Sequence, residues 1–213
     1  MAIVVEHDKR RKDILKRALD VFVDEGFEDA TFQKIADRCG ITRTTLYIYF
    51  KNKKEIFNYS IKQFLLTVEA DLTKIRCGAG LTTADKLIRV LSRIIDLLEK
   101  NRRLLTVILD YLRHLSGTNG DPNYRVRRRT LRLRHILATM VIDGIKAGEI
   151  VPVDVKAADD LLYPLIESAI FRLTVLKQET VTDLKNSAAL AVRLMTVNRN
   201  VTRDAPAIPG AIE

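Results

Sequence analysis

Ten residues, ITRTTLYIYF at positions 41–50, gather Thr42, Arg43, Thr44, Thr45, Tyr47 and Tyr49 without a single carboxylate. Hydroxyls beside one guanidinium offer no nucleophile and base pair, so the chemistry they suit is recognition rather than turnover. Arg pairs bidentately with a guanine edge, and Thr hydrogen-bonds a base or turns its methyl toward thymine. Tyr hydroxyls reach phosphate oxygens. The competing roles are a solvated surface for Arg43 and, for the two tyrosines, core packing with the hydroxyl left in water.

Presenting such a set to a groove requires a short helix on a firm support, and the flanking residues supply one. Thr31 is placed to cap a helix over Phe32 to Cys39, Gly40 makes the turn, and Thr42 caps a second helix to Tyr49. Ile35, Ala36, Ile41, Leu46 and Phe50 then face inward, toward a helix over Lys9 to Glu25 whose stripe holds Ile14, Leu15, Ala18, Leu19 and Phe22. Gly26 stands where a left-handed cap ends that helix, with Phe27 folding back onto it. Asn52 and Glu55 have capping-box spacing and open a long helix at Lys53. Lys53, Lys54, Thr31 and the run Lys9, Arg10, Arg11 and Lys12 surround the hydroxyl-rich face as candidate backbone contacts. Positions 1–62 hold about 13 basic and about 10 acidic side chains, so where the charges sit matters more than their sum.

The remaining chain keeps helical spacing and lacks alternating β-branched runs, which predicts an all-α fold. Helices are expected over 53–75, 83–100, 102–115, 124–147, 155–177 and 181–198, with SGTNGDPN (116–123) as a loop, EIVPVD as a connector and the residues from Ala205 as a disordered tail. The helix from Val155 carries an apolar stripe too wide for one packing partner, which favours a subunit interface. From Arg125 to Arg134, six arginines crowd one helix: Arg125, Arg127, Arg128, Arg129, Arg132 and Arg134. A solvated face is the simplest role for them, and an inward Arg facing Asp110, Glu167 or an anionic effector is the alternative.

Composition sets the outer limits. The 213 residues carry a net charge of +9, which points to a polyanionic partner. Cys39 and Cys77 cannot build a disulfide framework and are expected to be buried thiols in a reducing compartment. No apolar run is long enough for a membrane span, and a cytoplasmic location is expected. CGAGLT (77–82) lacks the preceding strand and third glycine of a dinucleotide fingerprint. No P-loop, HExxH or GxSxG is present, and His7, His114 and His135 share no metal-ligand spacing. Neither an enzyme nor a cofactor or metal is expected.

The concatenation ALDVFVDEGFEDATFQKIADRCGITRTTLYIYFKNKKEIF, within residues 10–57, resembles the DNA-binding domain of the tetracycline-repressor-like (TetR/AcrR) regulators. The resemblance implies a helix-turn-helix domain over 1–52 and a larger helical effector-binding and dimerisation domain over 53–204. It implies base or groove contacts from Thr42, Arg43, Thr44 and Thr45, and phosphate contacts from Thr31, Tyr47, Tyr49 and Lys53. Thr44 stands where many members have Gly, Cys39 replaces a common Ala, and Lys54 replaces a common Glu. A homodimer through the helices at about 155–177 and 181–198 would bind a pseudo-palindromic double-stranded operator. A small-molecule effector would release it from a cavity whose candidates are Phe64, Val68, Leu91, Tyr111, His114, Met140 and Glu167. A helical small-molecule-binding dimer or interaction scaffold without DNA binding is the rival of a different class.

Overall fold

The computed structural model describes the backbone of residues 2–115 and 122–197 and the side chains of 6–113 and 131–197. The 116–121 part of the expected loop, the tail, and the side chains of His114, Arg125, Arg127, Arg128 and Arg129 lie outside the described residues. Among the described residues the chain forms nine helices. They are α1 (Ala2–Asp29), α2 (Phe32–Cys39), α3 (Arg43–Tyr49), α4 (Lys53–Cys77), α5 (Thr83–Lys100), α6 (Arg102–Leu115), α7 (Pro122–Lys146), α8 (Val155–Thr174) and α9 (Asp183–Leu194).

α1 starts at Ala2 rather than Lys9, since nothing in AIVVEHD breaks a helix. It is kinked at Gly26, whose φ of 82° and ψ of 171° form a positive-φ corner rather than a left-handed helical cap. The corner swings Phe27 back to Phe22, ring centroids 5.9 Å apart. α8 stops at Thr174, short of Lys177. The Gln178 N–H donates to the Arg172 carbonyl at 3.0 Å, and Lys177 takes the left-handed φ of 54° that such a helix exit requires. α9 ends before Asn198 because the chain leaves the helix to pair with the 149–151 connector. Val151 N–H donates to Met195 O at 2.8 Å and Val197 N–H to Glu149 O at 2.9 Å.

Burial sorts these helices around two main cores. Ile14, Leu15, Ala18 and Phe22 of α1 pack with Ile35 and Ala36 of α2, Leu46 of α3 and Phe50. Ile56 and Phe57 of α4 and Val107 and Tyr111 of α6 belong to the same cluster. The second core surrounds α5, where Leu87, Val90, Leu91 and Ile94 meet Leu137, Met140 and Val141 of α7, Leu162 and Ile166 of α8, and Ala188 and Val192 of α9. α4 contributes to both cores, through Ile56 and Phe57 at one end and Leu72 at the other. Tyr111 closes the joint between α6 and the head formed by α1 to α3. Its ring lies 4.4 Å from Phe27 and 4.7 Å from Phe57, centroid to centroid.

Candidate nucleic-acid interface

Each helix of the hydroxyl-rich unit is capped by its own side chain. Thr31 Oγ1 accepts from Lys34 N–H at 3.2 Å, and Gly40, at φ 65° and ψ 37°, ends α2 in the left-handed region. Thr42 Oγ1 accepts from Thr45 N–H at 3.1 Å and lies 2.8 Å from the Thr45 hydroxyl. Asn52 Oδ1 accepts from Glu55 N–H at 2.8 Å. Glu55 returns a bond to the N–H of Lys51 at 2.7 Å, one residue before the reciprocal partner of an ordinary capping box.

On this support α3 buries Leu46 completely and turns Arg43, Thr44 and Tyr47 to solvent. Arg43 donates to the Tyr47 hydroxyl at 3.2 Å, and its guanidinium lies 5.7 Å from the centre of that ring. Tyr47 is itself stacked on Phe32 of α2 at 4.6 Å, which fixes its plane without burying it. Tyr49 is half-buried and stacked at 4.6 Å on His7, so α1 reaches the end of α3. Thr31 is exposed, and Thr45 is half-buried by its contact with Thr42.

Charge is sorted around this face. On α2, Lys34 pairs with Glu25 at 2.6 Å and Arg38 with Asp24 at 3.1 Å, so both cations are answered by α1 carboxylates. Asp24 also receives Arg103 of α6 at 3.4 Å. Among the described residues no ion pair engages Arg43, Lys51 or Lys54, which keep their positive charge beside the hydroxyls. Lys53 is turned inward instead. Its ammonium donates to the Glu28 carbonyl at 2.8 Å and sits 4.7 Å from the centre of the Phe27 ring. Arg11, from the basic run at the N-terminus, is folded over Tyr59 at 4.4 Å and Phe50 at 5.1 Å.

Residues 14–59 match the family model of the bacterial regulatory proteins of the tetR family. The same chain is 27% identical over 162 residues to a fatty acid metabolism regulator protein of Bacillus subtilis, covering 74% of this chain and 79% of that one. A TetR transcription regulator from Haloarcula marismortui superposes with a TM-score of 0.76 at 18% identity, over 89% of this chain and all of its own. The regulator FadR from Bacillus subtilis, in complex with stearoyl-CoA, superposes with a TM-score of 0.60 at 25% identity, over 84% of this chain and 96% of its own. Residues 14–59 thus match the DNA-binding region of the tetR-family regulators, and the chain as a whole has the fold of the TetR-type structures. These matches support a DNA-binding transcriptional regulator with an N-terminal helix-turn-helix followed by a helical C-terminal region.

Elsewhere in the chain the expected effector residues separate. Leu91 and Met140 are buried in the α5-centred core and Val68 packs against it, while Phe64 is half-buried on α4. Tyr111 belongs to the head core, and Glu167 is exposed on α8. A surface cleft of about 610 Å³ lies between α1 and the α5–α6 junction, lined by Leu19, Val23, Arg102 and Glu179 among others, and shares none of these side chains. Arg134 meets Asp159 at 2.6 Å and also Asp160, and Arg132 meets Glu69 at 3.1 Å, in place of the Glu167 partner considered from sequence. Its two carboxylate partners hold the Arg134 guanidinium above its usual pKa. Cys77 is exposed rather than buried, because it is the last residue of α4 before Gly78. Cys39 is buried as expected, and burial pushes its thiol pKa up. No helix among the described residues is long and apolar enough to cross a membrane.

Two groups went unseen in sequence. Ile48 is 71% exposed on α3, an apolar residue on a face whose sequence signature is hydroxyls and charge. Its place four residues after Thr44, on the same helical row, was the available signal. Asp159 is buried on α8 within an otherwise apolar stripe, and a carboxylate at that position was the signal of a buried partner such as Arg134.

Proposed function

We propose that this chain is a homodimeric, cytoplasmic repressor whose two heads place α3 into successive major grooves of a pseudo-palindromic operator and leave it when a small-molecule effector binds. The observation that carries this reading is the α3 face, where Arg43, Thr44 and Tyr47 stand exposed on a capped helix with no carboxylate among them. Thr42, Arg43, Thr44 and Thr45 read the groove, while Thr31, Tyr47 and Tyr49 contact phosphates. Lys53 reaches a phosphate by exchanging the Glu28 carbonyl it now holds. The head is residues 1–52 and the effector and dimer region 53–204, with α4 shared between their cores.

The α8 and α9 surface supports the dimer. Leu161, Phe171 and Val175 on one side and Leu190 and Leu194 on the other are each 51–76% exposed. Large aliphatic and aromatic side chains left in water along one pair of helices suit a self-complementary two-fold interface.

For the effector, the relative's name and the ligand of the FadR structure point to long-chain acyl thioesters as the first class to test. The alignment runs over 162 residues, well beyond the head, so it includes the region that would hold such a ligand. Phe64, Val68, Leu91 and Met140 supply the apolar wall. A ligand that prefers the conformation with mismatched heads needs a coupling of only about 1–3 kcal/mol to weaken DNA binding by roughly 5- to 150-fold.

The test is selection of bound fragments from genomic DNA at two salt concentrations, followed by titration of the enriched site with and without stearoyl-CoA. An inverted repeat is expected. Arg43→Ala should cost about 1–3 kcal/mol and relax preference at one position per half-site, and Lys54→Ala should weaken all sequences alike and flatten the salt slope. A folded protein that enriches no sequence at either salt sinks the DNA-reading assignment and favours a ligand-binding scaffold. An inverted repeat whose affinity stearoyl-CoA leaves unchanged removes the acyl-thioester assignment alone.

A further inference from the structure

Ile48 contributes little to the fold. Its neighbours in the α3 pattern, Leu46 and Phe50, are 0% and 1% exposed and close the head core, whereas Ile48 is 71% exposed and lies outside that core. A helical step of four puts it on the row of Thr44, next to the row formed by Arg43 and Tyr47. α3 therefore presents one β-branched hydrocarbon tip at the end of a face otherwise made of hydroxyls and a guanidinium.

Base edges in a major groove restrict what such a tip can meet. Guanine and adenine N7, guanine O6 and the exocyclic amines all need hydrogen-bond partners, and an aliphatic group pressed against them leaves them unpaired. The thymine C5 methyl is the apolar feature of the groove, and covering it removes two hydrocarbon surfaces from water at once. We propose that Ile48 is a specificity-determining residue that reads a thymine methyl in each half-site. The assignment rests on the reading of α3 as the groove helix. Thr44, with its own methyl one turn earlier, continues the same apolar edge toward the neighbouring base pair.

The experiment compares the full-length protein and its Ile48→Ala and Arg43→Ala variants on the selected operator and on copies in which single thymines are replaced by deoxyuridine, which lacks only the methyl. Ile48 is exposed, and a thermal melt of each variant confirms folding. One thymine per half-site should be methyl-sensitive for the wild type, by roughly fourfold per methyl and about 15-fold when both half-sites are changed. Ile48→Ala should bind the thymine operator at least that much more weakly and should no longer distinguish thymine from uracil there. Arg43→Ala should keep the discrimination while losing affinity overall. The proposal is overturned if no thymine is methyl-sensitive, or if Ile48→Ala binds like the wild type or keeps the full discrimination. If Arg43→Ala also binds like the wild type, the failure lies in the choice of α3 as the groove helix, not in the role of Ile48 within it.

Discussion

Replacing Tyr111 with Ala tests whether α6 is structurally part of the DNA-reading head. The ring is 6% exposed and lies against both Phe27 and Phe57, at 4.4 and 4.7 Å. Truncation removes the hydrocarbon and leaves a void between two phenyl rings anchored by a kinked α1 and by α4, which cannot both collapse into it. Large-to-small changes of this kind cost about 3–5 kcal/mol, and the two lost aromatic pairs place the expected value in the upper half of that range. For a chain of this length the melting temperature should fall by roughly 8–20 °C. Urea and thermal unfolding followed by far-ultraviolet circular dichroism measure the free-energy cost and the melting shift, which suits a protein with no Trp. Tyr111→Leu fills most of the space and should recover much of the loss. If Tyr111→Ala lay within 1 kcal/mol of the wild type, the joint would be soft, and the view that the head core is completed by α6 would be wrong.

Gly144→Ala should destabilise even though Ala is the better helix former by about 1 kcal/mol, because its Cβ would stand 2.5 Å from Ile150 Cδ1 and 2.8 Å from Cγ1. The double variant with Ile150→Val should be more stable than the sum of the two single changes, as chemical denaturation will read directly. Cys77 should react with a thiol reagent at the rate of an exposed cysteine, and Cys39 only on unfolding, since it is buried with its pKa raised. Two equally fast thiols in the native protein would contradict the head core as described.

The parts of the fold visible in sequence are those set by local rules. Thr31, Thr42 and Asn52 announce their caps because a side-chain oxygen before a helix has one obvious use, and the apolar spacing of Ile35, Leu46 and Phe50 has one inward solution. Helix ends decided by distant partners were less legible. α9 stops where its exit can pair with the 149–151 connector, a contact between segments more than forty positions apart that no local propensity encodes. The site shows the same division. The exposure of Arg43 follows from helical phase, but the inward turn of Lys53 depends on the Glu28 carbonyl left open in the last turn of α1. Asp159 illustrates the remaining limit, since its partner Arg134 lies on another helix and only packing brings the two together.

The stacking of Tyr47 on Phe32, with Arg43 bonded to its hydroxyl and Thr42 locked to Thr45, bears on the thermodynamics of association. These rotamers are already chosen in the free protein, so their ordering entropy is spent during folding rather than on meeting a ligand. Immobilising a rotamer-rich side chain at an interface costs about 0.5–1.5 kcal/mol. A surface that arrives with several fixed loses less of its gross interaction energy, so a seven-residue helix, too short to hold its shape alone, becomes a rigid stamp.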